Sequence, residues 1–308
     1  MKYSARAGLG SVALALAACS GDLPSAASSD AGNKPDVVKD VVTADQAPPL
    51  SCAEAKACEP GDNQPLASCI VSLDATLVNP LGAPLPGEAV YLCGLTVCSS
   101  ELTANAQGKV HADVCVWFIS AAIKYLGGPN FAGFAMAIPP TLSAISLPAV
   151  TLVPLPSAGV DFPPAGGDVV SNGVTMTVGP NAVKFDLADS QDGNRRKFRA
   201  VEVPIDKAPP FLDPSLKLEA LWGLSPINAS ITPAALLTIP NTKGWKPNTV
   251  VEFFVNGANN GIANPPAPYG GWAAIGNGFV SADGKTVSMD PKPGNGVAMT
   301  GMVGVRIK

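Results

Sequence analysis

The chain of 308 residues has 47% hydrophobic residues, 14% charged residues and a formal net charge of −4. The hydrophobic fraction excludes general disorder, and the acidic balance argues against a nucleic-acid partner, which would require clustered Lys and Arg. With 31 Gly and 31 Pro, the composition favours short strands joined by tight turns over long solvated helices. The sequence therefore predicts an all-β protein.

The N-terminus is typical of an export signal. Lys2 and Arg6 precede an apolar run at residues 8–18, which is too short for a bilayer span of about 20 residues. The run ends in Leu-Ala-Ala-Cys at Cys19, which resembles the lipobox of bacterial lipoproteins. The resemblance implies a signal peptide at 1–18, cleavage before Cys19 and a lipid on its thiol. Ordinary signal cleavage beside an incidental Cys is the alternative.

The resemblance also implies an address. Two or three acyl chains anchor a protein stably to a membrane, whereas one does not. Ser20 stands where the inner-membrane retention signal would be Asp, so the enterobacterial sorting rule implies an outer-membrane lipoprotein, either periplasmic or surface-exposed. Residues 19–50 are small, polar and interrupted by Pro, and they predict a disordered tether.

Six further cysteines lie within one segment of the exported chain. They are Cys52, Cys58, Cys69, Cys93, Cys98 and Cys115. An even number in an exported segment predicts three disulfides. Of the possible pairings we favour Cys52–Cys58, Cys93–Cys98 and Cys69–Cys115. A zinc site fits poorly, because no Cys-x-x-Cys occurs and His111 is the single histidine. We expect no metal and no cofactor.

Residues 51–140 predict the first of two β-sandwich domains. Residues 70–73 and 89–92 are β-rich, and a Gly- and Pro-rich turn at 80–87 separates them. A second turn at 103–110 follows. This order of strands and turns resembles the carboxypeptidase regulatory-like and transthyretin-like β-sandwiches. The resemblance implies an accessory, adhesive or structural module, and it carries over no catalytic residue.

Residues 141–165 are rich in Pro, which predicts an extended linker or an edge segment. Residues 166–308 predict the second β-sandwich. Alternating or β-rich runs occur at 174–178, 197–203, 231–239, 250–255, 272–275 and 286–289. An Asp-Gly hairpin turn lies at 281–285. The pattern resembles the β-sandwich shared by ankyrins, netrin receptors and many bacterial surface proteins. No His-Phe-Ser triplet is present, so the self-cleavage of some members is not implied.

Catalytic patterns are absent from the sequence. No motif of a hydrolase, a metalloprotease or a nucleotide-binding loop occurs, and His111 is interpreted as a surface or structural residue. Three aspartates, Asp186, Asp189 and Asp192, have the wrong spacing for an EF-hand and predict a solvated loop. The basic cluster at 195–199 is interpreted as a solvated turn. We therefore expect that the protein is not an enzyme.

Four aromatic residues have two interpretations. Trp222, Trp245, Tyr269 and Trp272 could form a sugar-binding platform, with Tyr269 and Trp272 beside the long loop at 256–271. A Trp in a β-sandwich is more often a core residue. Exposure of these rings would favour binding, and burial would favour a structural role.

The sequence thus predicts a lipid-anchored cell-envelope protein with a structural or a ligand- or partner-binding role. A protein that binds carbohydrate or envelope polymer is the alternative, and an envelope hydrolase is a further one, which two close carboxylates in a cleft would favour. The predicted partners are the membrane, reached through the N-terminal lipid, and a carbohydrate or an envelope protein.

Overall fold

Strands and tight turns dominate the chain, as its Gly, Pro and alternating apolar residues predict. The computed structural model describes residues 67–95, 97–140, 144–185, 192–258 and 267–308. Within these ranges the helices are two 3-10 turns, Ile205–Lys207 and Pro214–Leu216. The predicted all-β fold class is confirmed. The predicted signal peptide and tether lie outside the described residues.

The first seven strands form two sheets whose buried faces share one core. The strands are β1 (Ala67–Val78), β2 (Ala89–Cys93), β3 (Leu102–Thr103), β4 (Lys109–Ile119), β5 (Ala122–Tyr125), β6 (Phe134–Ala137) and β7 (Ala144–Thr151). One sheet has the order β4-β1-β7, and the other has the order β3-β2-β5-β6. The runs predicted at 70–73 and 89–92 fall in β1 and β2.

Strand β1 shows why these residues form a sheet. Leu73, Ala75 and Leu77 point into the core, and Asp74 between them is exposed. This period of two is the signature of a strand with one buried face. Where β1 pairs with β4, the register shifts between Ile70 and Ser72. Cys115 of β4 lies at this bulge, with a positive φ of 49°.

The Pro-rich segment at 141–165 contains an edge strand. Strand β7 runs parallel to β1 at the edge of the three-stranded sheet. It contains Pro148, and an edge strand tolerates Pro because one side of its backbone needs no ladder hydrogen bond. Leu152 and Leu155 beyond β7 are buried, so this segment also contributes to the core.

The remaining strands build one large sheet. They are β8 (Gly167–Ser171), β9 (Val174–Val178), β10 (Val183–Lys184), β11 (Arg199–Val203), β12 (Ala220–Ser225), β13 (Ser230–Pro240), β14 (Val250–Asn256), β15 (Trp272–Val280), β16 (Thr286–Met289), β17 (Val297–Met299) and β18 (Met302–Ile307). The main order is β11-β12-β18-β14-β15-β16-β13-β9-β8, and β10 and β17 pair with β13 beside it. The predicted strands and the Asp-Gly hairpin are confirmed.

The large sheet folds over on itself, so that its two ends meet. The backbone N–H of Ala200 in β11 donates to the hydroxyl of Ser171 in β8 over 3.1 Å. The enclosed side chains include Phe253, Leu237 and Val305, each 0% exposed. Burial of each such side chain contributes about 1.5–3 kcal/mol to folding. This closure brings the chain between β7 and β8 next to the start of β11.

Residues of both predicted domains contribute to a single core. Phe134 and Ile123 of the first segment belong to the same cluster of buried residues as Leu221, Phe254 and Met302 of the second. The described residues belong to one compact unit. The division of the chain into domains at 51–140 and 166–308 stays a prediction.

Candidate ligand-binding sites

The aromatic residues singled out in the sequence lie mainly in the interior. Trp222 is 2% exposed, Tyr269 is 7% exposed and Trp245 is 8% exposed. The indole N–H of Trp245 donates to Glu219 over 3.2 Å. Burial raises the pKa of the Tyr269 hydroxyl to about 12. These three rings therefore occupy the positions of core residues, and they do not form an exposed row.

Trp272 is half-buried and packs against the core. With Pro209, Pro210 and Phe211 it lines a groove of only about 10 Å³, roughly the room that one water molecule needs. Part of the neighbouring loop, residues 259–266, lies outside the described residues. A ligand-binding role for Tyr269 and Trp272 stays a prediction, and the cavities of ligand size lie elsewhere in the described part of the chain.

The first such cavity, which we call the aromatic pocket, has a volume of about 470 Å³, within the usual range of small-molecule sites. Its lining residues are Asp161, Phe162, Pro163, Pro164, Gly179, Asn181, Ala182, Val183, Phe185, Gly193, Arg196 and Lys197. They come from the chain before β8, the β9–β10 region and the turn before β11. The closure of the large sheet brings these three segments together.

Three phenylalanines form one wall of the aromatic pocket and the core behind it. Phe198 is completely buried. The ring of Phe162 packs on it with a centroid distance of 5.7 Å and on Phe185 with a distance of 6.0 Å. Phe162 and Phe185 are half-buried. Val160 and Phe198 exchange backbone hydrogen bonds of 2.7 and 3.0 Å, which fixes the segment that carries Phe162 against β11.

The rim of the aromatic pocket is polar and carries both charges. The Lys197 ammonium lies 3.4 Å from a carboxylate oxygen of Asp161. Arg196 is exposed beside it. Asn181 lies at the rim in the left-handed conformation, with φ of 51°, which Asn tolerates better than most residues. The pocket therefore offers hydrogen-bond donors and acceptors above an apolar wall.

Arg199 anchors the turn at residues 192–197, which we call the basic turn. Its side chain is completely buried and donates to the backbone and side-chain oxygens of Asn194 over 2.9 and 2.5 Å. Asp192 accepts from the Asn194 N–H at 2.8 Å. Burial lowers the pKa of Arg199, and the charge of Asp192 opposes that shift. The interpretation of the whole cluster as solvated is wrong for Arg199.

The second cavity, which we call the tyrosine–glutamate cleft, has a volume of about 230 Å³. Its lining residues are Gly87, Glu88, Ala89, Tyr91, Glu101, Tyr125, Leu126, Gly127, Gly128, Pro129, Asn130 and Arg195. Tyr91 donates to Glu101 over 2.8 Å, and Tyr125 donates to Glu88 over 2.7 Å. Burial, together with the carboxylate partner, raises the pKa of both tyrosines. The cleft is thus mainly polar.

The basic turn contributes cations to both cavities. Arg195 lines the tyrosine–glutamate cleft, and Arg196 lines the aromatic pocket. Sequence reasoning missed both roles. The signal available in the sequence was a basic cluster with Phe185 before it and Phe198 after it. This cluster lines a cavity only because the fold brings Phe162 and Asp161 next to it from another segment.

The cysteines agree in part with their prediction. Cys93 and Cys98 form the predicted disulfide and also an isolated β-bridge. Cys69 and Cys115 are each in a disulfide, and Cys69 lies opposite Trp117 in the β1–β4 ladder. The predicted pairings Cys52–Cys58 and Cys69–Cys115 stay predictions, and Cys52 and Cys58 lie outside the described residues. Cys19, the predicted lipidation site, also lies outside the described residues, and so do Asp186 and Asp189 of the acidic cluster.

His111 lies on an exposed strand face, outside both cavities. Its Nδ1 is 2.7 Å from a carboxylate oxygen of Asp74, and its Nε2 is 3.8 Å from Asp113. The hydrogen bond to Asp74 is the main cause that raises the pKa of His111.

In the described ranges, no group of three or more His, Cys, Asp or Glu side chains is placed to hold a metal ion. No helix found there is long and apolar enough to cross a membrane.

Comparisons with known proteins add little. No family model matches the chain, and no curated protein does. A solved structure from Bacteroides uniformis, described as that of a candidate carbohydrate-binding protein, is 9% identical with a TM-score of 0.23, over 77% of this chain and 98% of the other. A similarity at this level carries no argument about fold or function.

Proposed function

We propose that the protein is a lipid-anchored cell-envelope protein that binds a carbohydrate or another envelope polymer, without a catalytic step. Its anchor is the lipid on Cys19, and Ser20 directs it to the outer membrane. The observation that carries the binding role is the aromatic pocket, a cavity of about 470 Å³ in the described part of the chain. The resemblances to transthyretin-like sandwiches and to the sandwich of ankyrins fit a non-catalytic module.

The lining of the aromatic pocket suits a sugar ring. A sugar has an apolar face of C–H groups and a periphery of hydroxyls. Phe162 and Phe185 provide apolar surface for the first, and such contacts with aromatic rings are favourable. Asn181, Asp161 and Lys197 provide donors and acceptors for the second. Few polar groups around an apolar wall are typical of small-molecule sites.

Binding is tested with the full-length lipoprotein, purified in detergent, on an array of neutral and acidic oligosaccharides and on purified peptidoglycan. The critical variant is Phe185→Ala, since Phe185 lines the pocket but is only half-buried. We expect a loss of affinity between about twofold and about twelvefold, which corresponds to an aromatic contact of about 0.5–1.5 kcal/mol. Phe279→Ala is the matched control, because Phe279 is 43% exposed and lines neither cavity.

Two results would contradict the binding proposal. One is the absence of binding to every glycan and to peptidoglycan by a protein that unfolds cooperatively. The other is equal affinity of Phe185→Ala and the unmodified protein for the ligand found. A structural role in the envelope would then be the remaining reading of the fold.

The anchor is tested separately. Cells that express the protein are labelled with palmitate, and the membranes are fractionated. We expect label on the unmodified protein, recovered with the outer membrane, and none on Cys19→Ala. Label that persists in Cys19→Ala, or an unlabelled unmodified protein, would refute the lipid on Cys19.

A further inference from the structure

We infer that the aromatic pocket selects an anionic glycan, one whose sugar ring carries a carboxylate or a phosphate. This inference rests on the proposed function, since it names the ligand class of the same pocket. Arg196 and Lys197 at the rim supply two positive charges against the one negative charge of Asp161. The described lining of the pocket therefore carries a net positive charge, on a chain whose formal net charge is −4.

In the part of the chain that the structure describes, Arg196 has no carboxylate partner. Among the described residues, no Asp or Glu lies within ion-pair distance of its guanidinium. A guanidinium presents five N–H donors and binds a carboxylate or a phosphate through two parallel hydrogen bonds. Arg196 is thus a cation at the mouth of a cavity with its donors open to a ligand.

Lys197 can also turn to a ligand. Its contact with Asp161 is long, at 3.4 Å, and the Asp161 side chain is 78% exposed. Exposed ion pairs of this kind contribute about 0–1 kcal/mol. The Lys197–Asp161 ion pair can therefore break at little cost in stability when the Lys197 ammonium binds an incoming anion.

The backbone that carries the two cations is held in place before the ligand arrives. The buried guanidinium of Arg199 donates to both oxygens of Asn194, and the backbone N–H of Arg196 donates to the backbone carbonyl oxygen of Asp192 over 3.2 Å. Lys197 continues into the β-bridge between Phe198 and Val160. Pre-organisation of this kind reduces the entropy lost on binding.

The wall of the pocket excludes a bare inorganic anion as the best ligand. Phe162, Phe185 and the two prolines 163–164 present apolar surface that such an ion leaves uncovered. A sugar ring with one anionic substituent meets both halves of the site. Its C–H face lies on Phe185 and its charge lies at Arg196 and Lys197.

The test compares trigalacturonate with its neutral methyl ester, and glucose 6-phosphate with glucose, by calorimetry on the full-length lipoprotein. We expect at least one acidic probe to bind tenfold or more tightly than its neutral counterpart. The pair that shows the difference tells whether a carboxylate or a phosphate is preferred. Raising the salt concentration should weaken the acidic probe alone.

Three variants assign this preference to the rim. Arg196→Gln should lower the affinity for the acidic probe about tenfold and leave the neutral one unchanged. Asp161→Asn should raise the affinity for the acidic probe, because it frees Lys197. Arg195→Gln is the matched control, a neighbouring arginine that lines the other cavity, and it should behave as the unmodified protein does.

Equal binding of acidic and neutral probes would overturn the inference and leave the proposed function standing. An unchanged acidic preference in Arg196→Gln would overturn the assignment to this rim. If no probe binds, and no glycan on the wider array does either, both the inference and the proposed function fail.

Discussion

The two cavities beside the basic turn differ in how their charges are matched. In the tyrosine–glutamate cleft, Glu88 and Glu101 each accept a short hydrogen bond from a tyrosine, and Arg195 is the cation beside them. The aromatic pocket is lined by apolar rings and by Arg196, which has no acidic partner among the described residues. Consecutive arginines thus face different surroundings, which teaches that the function of a basic residue depends on what the fold places opposite it.

The largest expected effect comes from the residue that holds the basic turn. Arg199→Ala should lower the free energy of unfolding by about 3 kcal/mol, because it leaves a cavity and removes the N–H groups that donate to the Asn194 oxygens. It should weaken glycan binding at the aromatic pocket at the same time. Urea denaturation at pH 7 measures the first effect. A loss below about 1 kcal/mol would show that the turn does not depend on this anchor.

A smaller loss of stability is expected from a substitution at Gly159, where the chain passes the Arg199 side chain. A Cβ at Gly159 would lie 2.5 Å from the Cβ of Lys197 and 2.7 Å from the Cζ of Arg199. Gly159→Ala should therefore destabilise the fold by about 1–3 kcal/mol through overpacking. Gly193→Ala in the basic turn is the control, because its Cβ would meet only the end of the Arg196 side chain, at 3.6 Å. Equal stability of the two variants would contradict the close packing.

Two buried tyrosines sharpen the contrast between the polar cleft and the core. Tyr125→Phe should cost about 1–2 kcal/mol, because Glu88 loses its donor. The hydroxyl of Tyr269 is buried without a hydrogen-bond partner among the described residues, so Tyr269→Phe should leave the stability at pH 7 unchanged or slightly higher. Urea titrations of both variants at pH 7 compare them. The reverse order of stabilities would refute the hydrogen-bond assignment.

The same substitution has a signature in alkali. The pKa of Tyr269 is raised from 10 to about 12 in the folded state, so the folded state favours its protonated form. The associated stability is complete below pH 10 and falls as the pH rises towards 12. Tyr269→Phe should therefore show a flatter loss of stability between pH 10 and pH 12. An identical slope in the variant and the unmodified protein would contradict the burial of this hydroxyl.

The smallest effect concerns His111 and Asp74, a pair that is exposed to solvent, unlike the residues of the two cavities. His111 is the single histidine, so its NMR titration is unambiguous. We expect a pKa above 6.5, lowered by Asp74→Asn and lowered less by Asp113→Asn, in the order of their contributions. The charged form is favoured below the raised pKa and is lost as the pH increases through it. If Asp113→Asn lowered the pKa of His111 more than Asp74→Asn does, the assignment of Asp74 as the main partner would be wrong.

The sequence was informative where a local pattern has a local consequence. Alternation in residues 174–178 predicts β9, and the Asp-Gly pair at 283–284 predicts the hairpin between β15 and β16. The short spacing of Cys93 and Cys98 predicts their disulfide. Pro148 predicts an edge position, which β7 has. Each of these follows from backbone geometry or short-range chain closure, so no knowledge of distant residues is needed.

The aromatic pocket could not be predicted in this way. Phe162, Phe185 and Arg196 come from three segments, and only the closure of the large sheet brings them to one cavity. The burial of Arg199 and the separation of Arg195 from Arg196 also depend on packing partners far away in sequence. The sequence by itself determined the all-β class and its strands. Tertiary structure decided which aromatic rings are core and which line a cavity, because exposure depends on the residues packed against each ring.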